Sequence, residues 1–212
     1  MDGITVRDIP SLKELERIGL ENKVHLVSDS AFSLYEEEHP PEALERSPLG
    51  EVKISISVRH WGHFIQGNQT DYENAIVEFL NRLNESSKSY KVFFVSSCVG
   101  TDGYKADDRK TAKRIFDRLK STDNVTLVNE DLSAKELIRF YRTVDLNIGT
   151  RMHTNIFSLL SQTPVVAIRY EDKTIGLMEQ FDLSQYMLDI EDITAEQLYE
   201  TVQEALKKPR EH

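Results

Sequence analysis

Residues 90–99 read YKVFFVSSCV, a nearly unbroken apolar run. It does not alternate polar with apolar, so it does not describe a strand with one wet face. It describes a strand covered on both faces, as in the parallel sheets of α/β proteins. The rest of the chain fits that frame. Strand-like GITVR (3–7), KVHLVSD (23–29), EVKISISVRHW (51–61), NVTLVN (124–129), DLNIG (145–149) and PVVAIRY (164–170) alternate with helix-like segments. Those are SLKELERIGL (11–20), TDYENAIVEFLNRLNES (70–86), DDRKTAKRIFDRLK (107–120) and SAKELIRFYRTV (133–144), with AEQLYETVQEALKK (195–208) near the end. Ser11 is expected to cap the first helix, with Glu14 completing a capping box. Residues 35–50, polar and Pro-containing, read as a loop or linker. Strands and helices alternating at this spacing imply βαβ units and a doubly wound parallel sheet, in one α/β domain over 1–212.

Such a sheet predicts where chemistry can sit. Its helices start at the carboxyl ends of its strands, and ligands bind in the crevice there. DLNIG ends at Gly149, so Thr150, Arg151, His153 and Thr154 are expected at that edge, opening a helix. PVVAIRY ends at Tyr170, which puts Lys173 in the loop at the same edge. Arg7 follows GITV, and Arg59 and His60 follow ISISV, at the same end of their own strands.

The first turn of a helix has unpaired N–H groups and a partial positive charge. Together with Arg151, His153 and Lys173 it suits a small, multiply charged anion such as a phosphate ester. The alternative, open on residue types alone, pairs Arg151 with a carboxylate such as Asp145 or Asp172 and makes His153 a helix cap.

These cations stand out because the chain as a whole is acidic: 26 basic against 36 acidic residues, formal charge -10. That balance argues against nucleic acid as a partner. The single cysteine, Cys98, provides no disulfide framework and reads as a small buried hydrophobe in a reducing compartment. No apolar run approaches the ~18 to 20 residues that span a bilayer, and MDGITVRDIP lacks the regions of a signal peptide. A cytoplasmic protein without a transmembrane segment is the expectation.

Other motifs carry less. His60 and His63 in RHWGH are spaced like metal ligands, but no third ligand is near, so no metal is expected. GTDGY (100–104) has no Walker lysine and no G-x-G-x-x-G pattern and reads as a turn. DDRKTAKR reads as a solvated helix start.

Four segments, in order and spacing, resemble the polysaccharide pyruvyl transferase family: VRDIPSLKELERIGL, VSDSAFSL, ISISVRHW, and the long run from LSAKELIRFYRTVDLNIGTRMH through YEDKTIGLMEQFDL. The most specific parts are R-D-x-x-S at 7–11, D-L-N-I-G-T-R-M-H at 145–153 and Y-E-D-K at 170–173. The resemblance implies a Rossmann-like domain of glycosyltransferase B type, corresponding to the C-terminal half of such an enzyme without its N-terminal domain. It implies transfer of pyruvate from phosphoenolpyruvate, as donor substrate rather than cofactor, to a sugar of a cell-surface polysaccharide precursor, forming a ketal. By the same resemblance the donor site uses Arg7, His153 and Lys173; of these, His153 is the candidate general acid, because histidine titrates near neutral pH. Arg151, Thr150, Thr154, Arg59 and His60 are the further candidates at that edge. A lipid-linked acceptor would bring peripheral membrane contact. Two alternatives stay open: a glycosyltransferase using a nucleotide sugar at the same edge, and a non-catalytic binding domain.

Overall fold

The computed structural model describes residues 3–35, 50–61, 69–100 and 107–207. Its centre is a parallel sheet of six strands: β3 (Val52–Ser57), β4 (Tyr90–Val95), β5 (Val125–Val128), β6 (Leu146–Gly149), β7 (Val165–Arg169) and β8 (Met187–Asp189). Their spatial order is β5-β4-β3-β6-β7-β8. The chain builds outward from β3 in one direction, returns, and builds outward from β6 in the other. The reversal between β3 and β6 is the topological switch point of a doubly wound sheet, where the crevice opens at the carboxyl ends.

The apolar patterns explain the layers. Ile54, Ile56, Leu146, Ile148, Val166 and Ile168 are fully buried, each contributing ~1.5–3 kcal/mol relative to exposure. One face of the sheet is covered by α2 (Gln69–Glu85), α3 (Asp108–Phe116) and α7 (Ala195–Ala205). The other is covered by α4 (Ala134–Tyr141), α5 (Met152–Leu160) and α6 (Asp172–Gln180). The apolar run at 90–99 supplies β4, paired on both sides by β3 and β5.

Two elements were not legible: α6 and β8. Lys173, expected in a loop, lies in the first turn of α6. The α6 segment is interrupted by Gly176, a poor helix former. Gly176 is there for closeness: a Cβ on it would lie 3.0 Å from Asp8 Cβ and 3.5 Å from Pro10 Cδ.

The first two strands form a sheet of their own. β1 (Ile4–Val6) pairs in parallel with β2 (Val24–Leu26), joined by α1 (Ile9–Arg17). The unit packs through α1 on α6 and through the 3-10 turn Ser30–Leu34 on α5, with Phe32 stacked on Phe181. The helix start differs from the expectation. Asp8, not Ser11, is the N-cap, and its side chain accepts from the Ser11 N–H. Pro10 explains the shift, since its fixed φ favours the first helical positions. Glu14 pairs with Arg17 instead of closing a capping box.

Candidate active site

A buried polar network fixes where α5 begins. The Ser57 and Thr154 hydroxyls are hydrogen-bonded at 2.9 Å, and Tyr72 OH meets the Thr150 hydroxyl at 3.0 Å. Ser55 donates to Asn147 Oδ1, whose amide donates to the Thr154 carbonyl. Gly149 is required because the fully buried Asn155 side chain lies against it: an added Cβ would stand 1.7 Å from Asn155 Oδ1. Thr150 and Thr154, read from sequence as ligands, are completely buried, with their hydroxyls engaged inside the fold. In the first turn of α5, His153 is exposed to solvent, whereas Met152, Thr154 and Asn155 are buried.

Arg151 is the N-cap residue of α5, with no side-chain cap bond. Two of its three nitrogens, Nε and Nη2, donate to the two oxygens of Asp108, each at 2.8 Å. The carboxylate partner is thus neither Asp145 nor Asp172; Asp145 accepts from the Lys53 N–H instead. Nor is Asp108 part of a solvated helix start, being 2% exposed. Burial pushes its carboxyl up, and the Arg151 charge opposes that. Burial also acts to lower the Arg151 pKa, but the bond to Asp108 prevails and holds it above its ordinary value. The pair ties α3 to the mouth of the β6–α5 turn.

Arg59, just past β3, lies beside that turn because β3 and β6 are neighbours. Its guanidinium sits 3.8 Å above the Tyr170 ring, and Nη1 is 3.8 Å from Glu171 Oε1. Glu171 also pairs with Lys173. One carboxylate therefore faces two of the candidate cations. His60 is exposed at the end of the same strand, and His63 lies outside the described residues, as does most of the GTDGY turn.

Arg7 reaches the site from the small sheet. It follows β1, and its Nη1 donates to Asp29 Oδ2 at 2.6 Å. Asp29 follows β2, is 8% exposed, and accepts from the Ala31 N–H with its other oxygen at 2.9 Å. Burial raises its pKa, but the Ala31 N–H, the Arg7 guanidinium and the charge of His153 outweigh that, leaving it below its usual range. Arg7, Asp29 and Lys173 line one cavity with Met152, Ile156 and Leu177. The carboxyl ends of the two sheets thus converge: β1 and β2 supply Arg7 and Asp29, while the starts of α5 and α6 supply His153 and Lys173. Asp29 and Asp108 carry no sequence signal for their partners, which lie 22 and 43 residues away.

A further contrast marks this edge. The helices α1, α3, α4 and α7 are closed at their N-termini by side chains of Asp8, Asp107, Ser133 and Thr194. At α5 and α6 the N-cap residues, Arg151 and Glu171, make no such bond. Among the described residues there is no cluster of three or more His, Cys, Asp or Glu side chains able to hold a metal, and no helix long and apolar enough to cross a membrane.

A parallel sheet in this strand order, flanked by helices on both faces, is a Rossmann-like domain of the glycosyltransferase B type. Solved structures share it: UDP-GlcNAc 2-epimerase of Methanocaldococcus jannaschii, in complex with UDP-GlcNAc and UDP, superposes with a TM-score of 0.64 at 17% identity, covering 99% of this chain and 56% of that one. The E. coli ADP-heptose lps heptosyltransferase II superposes with a TM-score of 0.53 at 12% identity, over 85% of this chain and 52% of that one. At these identities the likeness is one of fold. The family model for polysaccharide pyruvyl transferase matches residues 2–172, and the chain belongs to that family. The amylovoran biosynthesis protein AmsJ of Erwinia amylovora is 30% identical over 202 residues, 91% of this chain and 48% of AmsJ. The chain therefore spans about half the length of that relative.

Proposed function

We propose that the protein takes part in exopolysaccharide biosynthesis by transferring pyruvate from phosphoenolpyruvate to a diol of a saccharide. The observation that carries this reading is that Arg7, from the small sheet, and Lys173, at the start of α6, line one cleft of about 1000 Å³. Phosphoenolpyruvate places a phosphate and a carboxylate on a three-carbon frame. It needs several cations within a small space, even on an acidic protein. Arginine suits bidentate pairing with either group, and lysine supplies a compact charge.

The chemistry follows from that placement. His153 protonates the methylene carbon as a saccharide hydroxyl adds to the carbon bearing the phosphate. A second hydroxyl displaces phosphate at the same carbon and closes the ketal. One hydroxyl proton replaces that given by the histidine, and the other leaves with phosphate. Arg7 and Lys173 hold the donor and balance the charge on departing phosphate. Histidine suits the acid role because it titrates near neutral pH. Arg59, stacked on Tyr170 and 3.8 Å from Glu171, is a further cation at this edge. The test is calorimetric titration with phosphoenolpyruvate and, in parallel, UDP-GlcNAc. Binding of the first and not the second is expected; the reverse would favour a nucleotide-sugar transferase.

A further inference from the structure

Two carboxylates face the cations of the carboxyl edge, and they are held very differently. Asp108 is 2% exposed and accepts from two nitrogens of Arg151 at 2.8 Å each. That carboxylate is locked. The Glu171 side chain is 44% exposed and makes one contact to each of two partners. Its Oε2 pairs with Lys173, and its Oε1 stands 3.8 Å from Arg59 Nη1. The second distance is about 1 Å longer than a charge-assisted hydrogen bond. Glu171 is the N-cap residue of α6, yet its side chain does not cap the helix. The carboxylate is turned to the cations instead.

Lys173 also lines the cleft that holds Arg7. One ammonium thus serves both the cleft and Glu171. An exposed ion pair of this kind contributes little and is readily exchanged. An anion entering the cleft therefore competes with Glu171 for Lys173. Arg59 is placed to receive the carboxylate: its side chain is 13% exposed and its guanidinium is held over the Tyr170 ring. Resting on the donor reading above, we infer that Glu171 is a resident counter-carboxylate of the donor site, paired with Lys173 in the absence of donor and handed to Arg59 as the donor draws Lys173 away. Glu171 then lowers donor affinity while keeping the lysine at the edge of the cleft.

The test is calorimetry at low ionic strength on the whole chain, with phosphoenolpyruvate and inorganic phosphate as probes. Glu171→Gln keeps the size of the side chain and removes the competitor. It should tighten phosphoenolpyruvate binding by roughly 3- to 10-fold, the range for one or two exposed ion pairs. Loss of a merely structural contact would not raise affinity. Glu179→Gln makes the same charge change at an exposed position at the other end of α6 and should stay within about 2-fold of wild type. Arg59→Met should weaken phosphoenolpyruvate binding in the otherwise unchanged chain. In the Glu171→Gln chain, which has no carboxylate to hand over, its effect should be within about 2-fold. Affinity unchanged or weakened in Glu171→Gln, equal tightening in Glu179→Gln, or an equal effect of Arg59→Met in both backgrounds overturns the inference. So does failure of every variant to bind either anion. Phosphate binding tightened by Glu171→Gln in a chain that binds phosphoenolpyruvate no better than phosphate would sustain the role of Glu171 while ending the donor reading.

Discussion

Arg7 and Asp29 show how single residues set the site. Asp29 holds the Arg7 guanidinium with one oxygen and the turn after β2 with the other. Its folded pKa lies below the ordinary 3.8. The fold therefore favours its ionised form, and that stability is complete above the unfolded value and lost as pH falls through the folded one. Asp107, kept at about 2 chiefly by its bonds with Arg109, loses its own contribution only at lower pH. Asp29→Asn should lower the Tm near pH 6 and flatten its decline between about pH 5 and 3. A decline as steep as wild type would show that the pair contributes nothing. For the chemistry, His153→Asn cannot deliver a proton at neutral pH. In an active preparation it should lower turnover by roughly 10²- to 10⁴-fold and affect donor affinity far less. Lys173→Met should weaken donor binding most. Turnover of His153→Asn within a few-fold of wild type would make the histidine a cap or a binding residue and move the search for the acid to His60 or His63.

Between elements, the tie that matters most is Arg151–Asp108, which links α3 to the start of α5. Both partners are largely buried, at 17% and 2% side-chain exposure. Removing one partner leaves an uncompensated charge, so Asp108→Ala should cost about 3–5 kcal/mol in a urea titration. A loss under about 1 kcal/mol would place the pair among surface bridges. This tie also shows what sequence could carry. The DLNIG strand, the helix opened near Thr150 and the carboxyl-edge position of Lys173 follow from periodicity and strand direction, which are local. That Arg151 answers to Asp108, or that Thr150 and Thr154 turn inward to Tyr72 and Ser57, depends on neighbours 43 to 97 residues away. No local pattern specifies those. The Asp8 cap is hidden for a different reason: Ser11 and Glu14 imitate a capping box, and the fixed φ of Pro10 moves the helix start ahead of them.

At the scale of the whole molecule, the chain is a six-stranded domain carrying a two-stranded parallel sheet beside its site. Two strands alone are marginal in water, and among the described residues Ile18, Leu26, Val27 and Tyr35, four of the five large exposed hydrophobics, belong to this unit. Arg7 stands on it. A longer polypeptide that added strands to this sheet would hold Arg7 more firmly, and should bind phosphoenolpyruvate more tightly than the 212 residues alone. Equal affinities would show that the packing of α1 on α6 is sufficient. On the proposed function, Arg7 and Lys173, 166 residues apart along the chain, act on one donor. A double-mutant cycle on phosphoenolpyruvate affinity, with Arg7→Met, Lys173→Met and both, measures that coupling. Each single change should raise the Kd by roughly 10-fold or more, as for hydrogen bonds to charged groups. The double change should depart from additivity by about 0.5 kcal/mol or more, as for groups that contact one ligand. A Kd unchanged in either single variant, or strictly additive losses, would contradict the account.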